Sequence, residues 1–303
     1  MIEYKSFNFR DDSLRIIDKA NEIITQYQQQ GFRLTLRQLY YQFVARDLLP
    51  NTVKSYKRLG SIVNDARLAG LIDWEFIEDR TRETNMPPSW ITPESILDSA
   101  ARAFRIDKWV DQNFRPEVWI EKEALAGVIE PVCRELQIPF LSCRGYTSQS
   151  EMWSSAQRLV GFRKQGQTPV VLHLGDHDPS GIDMTRDIRD RLRLFLGVRV
   201  KLDRLALNMD QIEQYNPPPN PAKTTDARFQ GYVVEFGHES WEIDALEPAL
   251  LAQLIRDRVL DLCDNAKWDV KVAEEAEHRR LLALVSNEWD QIVTMLGEED
   301  SDG

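Results

Sequence analysis

The stretch Val118-Trp119-Ile120-Glu121-Lys122-Glu123 (VWIEKE) decides the fold predicted from this sequence. Its first three residues are typical of a buried strand, and a helical pattern begins directly after Glu121. A second apolar run, VVLHL at 170–174, ends in the segment GDHDPSG, which contains Asp176 and Asp178. Open α/β sheets carry their functional groups at the carboxyl ends of the strands, so these patterns predict three acids at one edge of a sheet.

The surrounding sequence alternates between strand and helix patterns. Strands are predicted at 117–120, 138–142, 169–174 and 198–205, and helices at 122–136, 148–165, 181–195 and 241–262. This order favours an α/β fold with a parallel sheet covered by helices on both faces.

The N-terminal part predicts three helices, at 12–31, 35–47 and 52–69, followed by a small hairpin at 71–80. Three helices and a hairpin in about eighty residues are typical of a winged helix, whose last helix commonly enters the major groove of DNA. That helix carries a candidate DNA-binding set of Lys54, Tyr56, Lys57, Arg58 and Arg67. A winged helix that binds protein through a solvated basic face is the alternative.

Prolines and charge define the predicted domain limits. A winged-helix domain is expected at 1–86, a linker and connecting helix (94–112) at 87–113, the α/β domain with a C-terminal helical extension at 114–296, and a disordered acidic tail at 297–303. The proline-rich segment 215–230 is expected to be an exposed loop. Its Lys223 and Arg228 are available to a DNA phosphate, although a plain spacer fits equally well.

Composition restricts the class of protein. With 42% hydrophobic and 29% charged residues, the chain has the profile of a soluble globular protein. Residues 235–303 contain 18 acidic residues against 6 Lys and Arg, so this segment accounts for the net charge of −11. The negative net charge is therefore compatible with a basic, DNA-binding surface near the N-terminus. We expect a cytoplasmic protein with no membrane span, disulfide framework or zinc site, because the three cysteines are unclustered and no signal peptide is evident.

Tyr41 is a candidate nucleophile. In the helix 35–47 the core positions follow the i, i+3, i+4 pattern and include Tyr40, which places Tyr41 about 100° off the buried stripe. Arg37 stands four residues before Tyr41, and a guanidinium beside a phenol favours the phenolate and can also hold a phosphate. An ordinary surface tyrosine is the alternative.

The three acids predict a metal site. Alternate residues of an extended segment face the same way, so Asp176 and Asp178 can share one cation while His177 points elsewhere. Carboxylates favour Mg²⁺ or Mn²⁺. Glu121 either completes the metal site or donates a proton to the departing oxygen.

Three motifs, LTLRQLYY, WIEKEAL and GDHDPSG, together resemble the DNA topoisomerase VI A-subunit family, in which a winged helix precedes a Toprim domain. In size the chain is most similar to the compact stand-alone homologues called Mini-A. The resemblance implies that Tyr41, four residues after Arg37, attacks double-stranded DNA and becomes joined to its 5′ end. It further implies a homodimer with composite sites and, for strand passage, a separate ATPase subunit.

Other functions stay open at this point. The nuclease subunit of Wadjet-type defence systems has a similar Toprim domain, and there water rather than tyrosine is the expected attacking group. A DNA-binding regulator with a Toprim-like scaffold and a Toprim nuclease that acts on RNA are further alternatives.

Overall fold

A computed structural model describes residues 2–77 and 87–299, with side chains described up to residue 296. The chain divides into two compact units, Met1–Arg82 with Phe114–Leu262, and Glu83–Asn113 with Cys263–Gly303. This division differs from the predicted domain limits, since the N-terminal helices and the sheet belong to one unit. Among the described residues, no helix combines the length and apolar character needed to cross a bilayer.

Three N-terminal helices, α1 (Asp11–Gln29), α2 (Leu36–Ala45) and α3 (Val53–Leu68), lie close to their predicted positions. Their apolar faces share one core. The side chains of Thr35 and Thr52 cap α2 and α3 by accepting hydrogen bonds from backbone N–H groups, which explains where both helices begin.

The predicted hairpin at 71–80 is wrong over residues 71–77, and its last three residues lie outside the described part of the chain. A 3₁₀ helix, Trp74–Phe76, occupies this segment. The Arg67 guanidinium lies 5.2 Å from the centre of the Trp74 ring, and the Leu34 N–H donates to the Phe76 carbonyl at 3.1 Å. These contacts hold the segment against the helical core, so residues 2–77 show three helices and a 3₁₀ segment in place of the expected hairpin.

The predicted connecting helix at 94–112 is too long. Helix α4 spans Pro93–Ala103, and Phe104 leaves the helical conformation with ψ 129°. The following segment is fixed within the second unit by packing, because Lys108 forms a buried ion pair with Glu275 at 2.8 Å.

The sheet has four parallel strands in the order β2-β1-β3-β4. The strands are β1 (Phe114–Ile120), β2 (Phe140–Ser142), β3 (Thr168–Leu174) and β4 (Lys201–Ala206), each within a few residues of its predicted position. The central strands β1 and β3 are buried over most of their length, which explains their nearly continuous apolar sequence. The predicted α/β class with a helix-flanked parallel sheet is therefore confirmed.

The helices that follow the strands are α5 (Ala126–Glu135), α6 (Gln149–Lys164), α7 (Pro179–Leu196), α8 (Met209–Tyr215) and α9 (Phe229–Phe236). Two short strands, β5 (Asn220–Pro221) and β6 (Glu239–Ser240), pair antiparallel. The C-terminal helices are α10 (Pro248–Leu260), α11 (Asn265–Asn287) and α12 (Trp289–Glu299).

Two predicted boundaries in this part need correction. The helix expected at 241–262 is divided, because Pro248 starts α10 as its first residue and a separate 3₁₀ turn, Ile243–Ala245, precedes it. The acidic tail expected to be disordered at 297–303 begins within α12, which ends at Glu299, and residues 300–303 lie outside the described part of the chain.

Candidate functional site

The carboxyl ends of β1 and β3 bring two of the predicted acids together. These strands are parallel neighbours, with Ile120 beside Leu174 in register. The residues that follow them therefore meet, and the backbone N–H of Asp176 donates to Glu121 Oε2 at 2.8 Å. Both acids are nearly buried, at 9% and 6% exposure.

Glycines make this close approach of backbone and carboxylate sterically feasible. A Cβ at Gly175 would lie 2.9 Å from Glu121 Oε2, and a Cβ at Gly181 would lie only 2.2 Å from the Asp176 carbonyl oxygen. The glycines in GDHDPSG thus leave space for the carboxylate of Glu121 beside the loop.

Asp178, the third predicted metal ligand, caps α7. Its Oδ1 accepts hydrogen bonds from the Gly181 N–H at 2.6 Å and from Ser180 Oγ at 2.9 Å. The intervening His177 points away from the acids, as predicted, and its Nδ1 lies 2.8 Å from the hydroxyl of Tyr232.

Lys122 contributes a buried cation to the site. Its Nζ lies 2.8 Å from Asp176, 2.9 Å from Glu242 and 2.7 Å from Asp244. An ammonium has three N–H donors, so these three carboxylates can satisfy it completely. Burial alone would lower the pKa of Lys122, but the surrounding acids raise it above its ordinary value.

Arg37 connects α2 to the same acids. Its Nε donates to Asp244 Oδ2 at 2.6 Å, and its guanidinium also pairs with Glu242. Asp244 is fully buried, whereas the side chain of Arg37 remains 42% exposed. The helix that carries the candidate tyrosine is therefore fixed to the 3₁₀ turn at 243–245.

Tyr41 is buried, at 5% exposure, which corrects the prediction that it lies off the core stripe. The 3₁₀ turn covers that side of α2, and the sequence of α2 alone carries no sign of this packing. The Arg37 guanidinium lies 5.6 Å from the centre of the Tyr41 ring. Tyr40 is also buried, and its hydroxyl accepts a hydrogen bond from the Thr52 N–H at 2.7 Å.

The tyrosine is not activated in this arrangement. Burial raises the pKa of Tyr41 well above its ordinary value, and the charges of Asp244 and Glu242 raise it further. Arg37 lowers the pKa, as the sequence predicted, but its effect is smaller than that of the acids. Tyr41 is therefore a neutral phenol at neutral pH.

The site as a whole has an excess of negative charge. Five acids meet three basic side chains: Glu121, Asp176, Asp178, Glu242 and Asp244 against Arg37, Lys122 and Arg204. Burial raises the pKa of Asp176 above its ordinary value, and repulsion from Glu121 and Asp244 adds to this despite the opposing charge of Lys122. Burial likewise raises the pKa of Glu121.

Among the residues that the structure describes, no group of three or more His, Cys, Asp or Glu side chains is arranged to hold a metal ion. The reason lies in the partners of the predicted ligands, since Asp176 turns to Lys122 and Asp178 turns to the first turn of α7. The carboxylates of the site still suit a divalent cation, because Mg²⁺ and Mn²⁺ prefer oxygen ligands and the site has an excess of negative charge.

The candidate DNA-binding residues fall into two groups. Lys54, Lys57 and Lys223 are exposed, and Tyr56 is half-buried against Tyr40. The three arginines are engaged within the protein: Arg58 with Asp12, Arg67 with backbone carbonyls near Trp74, and Arg228 with Asp183 and Asp226.

A cavity of about 260 Å³ opens beside Tyr41. Its wall includes Arg37, Tyr40, Tyr41 and Glu242, together with Thr52 and Tyr56 at the start of α3. Glu242 and Asp244 were missed by the sequence reasoning. Their Glu-x-Asp spacing, in Trp241-Glu242-Ile243-Asp244 before a helix that starts at Pro248, repeats the Asp-x-Asp pattern of 176–178 and was the available signal.

A scan against protein-family models finds no family that matches this chain, and a search of curated proteins finds no matching relative.

Proposed function

We propose that this protein cleaves double-stranded DNA in the manner of the topoisomerase VI A subunit, with α1–α3 as a winged-helix module and the sheet as a Toprim domain. One observation carries the proposal: Arg37 and Tyr41 of α2 belong to the same polar network as the acids at the carboxyl ends of β1 and β3. The network links a phenol, two cations and several carboxylates, and three of its members, Arg37, Tyr41 and Glu242, line one cavity. Phosphoryl transfer by a tyrosine uses a nucleophile and groups that stabilise the developing charge, and this network contains both.

Each group has a role in the proposed reaction. Arg37 binds the phosphate that is attacked, and Lys122 offers a second positive charge. Tyr41 attacks the phosphorus and becomes joined to the 5′ end. Glu121, Asp176 and Asp178 would hold Mg²⁺ or Mn²⁺, which supplies positive charge for the departing 3′-oxygen.

Hydrolysis is the second candidate chemistry, and a specific observation favours it. Since burial and the acids raise the pKa of Tyr41, its phenol is a poorer nucleophile than an ordinary tyrosine, which favours a water molecule as the attacking group. The exposed Lys54, Lys57 and Lys223 contact the DNA backbone in either case. A homodimer, a separate ATPase subunit and a cytoplasmic location accompany the topoisomerase form of the proposal.

The test uses supercoiled plasmid with Mg²⁺ or Mn²⁺, followed by denaturation with detergent. Tyrosine attack predicts protein bound to DNA 5′ ends, which Tyr41→Phe abolishes and the neighbouring control Tyr40→Phe retains. Hydrolysis predicts cut DNA with free ends and equal rates for wild type and Tyr41→Phe. Binding of plasmid with no cutting under either ion would reject both chemistries and leave a DNA-binding regulator.

A further inference from the structure

Glu242 is an acid of this network that lines the cavity beside Tyr41. Its Oε2 lies 2.9 Å from Lys122 Nζ, and it pairs with the Arg37 guanidinium. That guanidinium also lies 5.6 Å from the centre of the Tyr41 ring, so Glu242 and Tyr41 share a neighbour as well as a cavity. None of the three predicted metal ligands lines this cavity.

We infer that Glu242 accepts the proton of Tyr41 when the tyrosine attacks DNA, an inference that rests on the proposed function. The Oη–H bond breaks and its proton passes to a Glu242 carboxylate oxygen, while Oη forms a bond to phosphorus. The P–O3′ bond breaks, its electron pair goes to the 3′-oxygen, and that oxygen takes a proton from water. Resealing runs the same steps in reverse, with Glu242 returning the proton.

The two cations keep this base weak until a phosphate arrives. Burial would raise the pKa of Glu242, but the charges of Lys122 and Arg37 outweigh burial and hold the pKa at about 2. The half-exposed Arg37 can turn to an incoming phosphate, for which a guanidinium has two parallel donors. Glu242 then loses one of its cations and becomes a stronger base, so DNA binding itself prepares the proton acceptor.

Asp244 provides a matched comparison. It binds the same two cations, at 2.6 Å from Arg37 Nε and 2.7 Å from Lys122 Nζ. However, the side chain of Asp244 is fully buried and does not line the cavity, whereas Glu242 lines it together with Tyr41. A proton acceptor and a purely positioning acid can therefore be separated by comparing these two residues.

The experiment measures single-turnover formation of the protein–DNA adduct between pH 6 and pH 10 for wild type, Glu242→Gln, Glu242→Asp and Asp244→Asn. Loss of a general base lowers a rate by about 100-fold or more. Glu242→Gln should show such a loss at pH 7 and a rate that rises tenfold per pH unit, because hydroxide replaces the missing base. Glu242→Asp should recover part of the rate with the wild-type profile, and Asp244→Asn should be slower with an unchanged profile.

The outcomes separate the proposed tyrosine chemistry from the role of Glu242 as proton acceptor. If the wild type forms no adduct, the proposed tyrosine chemistry fails and the role of Glu242 fails with it. If the wild type forms adduct and Glu242→Gln keeps the wild-type pH profile, only the role of Glu242 is rejected. Circular dichroism shows whether Glu242→Gln is folded, and if it is not, the profile of Glu242→Asp decides.

Discussion

An alanine at position 181 tests whether the acid site depends on a close backbone approach. The added Cβ would lie 2.2 Å from the Asp176 carbonyl oxygen and 3.1 Å from Glu121 Oε2. The first contact is far below any normal separation and involves backbone rather than a flexible side chain. Either the start of α7 or the loop that contains Asp176 must therefore move by roughly 1 Å.

The expected loss of stability follows from the contacts that this movement breaks. Overpacking costs about 1–3 kcal/mol, and loss of the Asp178 cap costs about 1 kcal/mol. Loss of the hydrogen bond from the Asp176 N–H to the Glu121 carboxylate costs about 1.5–3 kcal/mol. Alanine recovers about 1 kcal/mol over glycine within a helix. The free energy of unfolding should thus fall by about 3 kcal/mol or more.

Urea denaturation measures this change, and Gly161→Ala is the matched control. Gly161 also lies inside a helix, α6, but a Cβ at that position meets no atom within 4 Å. The control should be unchanged or gain up to about 1 kcal/mol. If Gly181→Ala unfolds at the same urea concentration as Gly161→Ala, with equal m-values, the described approach of Gly181 to the Asp176 carbonyl is incorrect.

Three further outcomes follow from individual side chains. Tyr40→Phe should lose about 1–3 kcal/mol of stability in thermal unfolding, because the Thr52 N–H loses its acceptor; an unchanged melting temperature would contradict this role. Burial, and secondarily the charge of Arg204, lowers the pKa of His177 to about 4, so the NMR signals of its ring should titrate near pH 4. The unfolded chain binds this proton more strongly, so the free energy of unfolding should fall as the pH drops from about 6.5 towards 4. Hydrogen bonds to Arg186 lower the pKa of Asp183 to about 2 despite partial burial. The stability that this carboxylate contributes is present above pH 3.8 and is lost as the pH falls through 2. An NMR titration of the Asp183 carboxyl with a midpoint near 4 would contradict this prediction.

Much of the fold could be predicted because the signals are local. The apolar runs of β1 and β3 locate the central strands, and the acids that follow them meet because parallel neighbours end at one sheet edge. The glycines of GDHDPSG indicate a shaped loop from composition alone. These features depend on residues close together in the sequence.

The remaining parts of the site depend on packing between distant segments. Periodicity placed Tyr41 outside the core, but a 3₁₀ turn some two hundred residues later covers that side of α2. The sequence around Lys122 carries no sign of its burial, because its three carboxylate partners come from two distant segments, Asp176 and the pair Glu242 and Asp244. The wing was predicted from a loose alternation at 71–80, and the contacts of Trp74 outweigh that weak pattern in the described residues 71–77.

The ion pair between Arg37 and Asp244 joins residues 207 positions apart in the sequence, so it forms late during translation. While the ribosome is still adding the residues after β4, α2 has already emerged and its arginine and tyrosine lack their carboxylate neighbours. The nascent chain therefore exposes a basic, partly apolar helix face until the final third of the protein is synthesised. Arg37 and Tyr41 therefore reach the environment described above only after Glu242 and Asp244 have been synthesised.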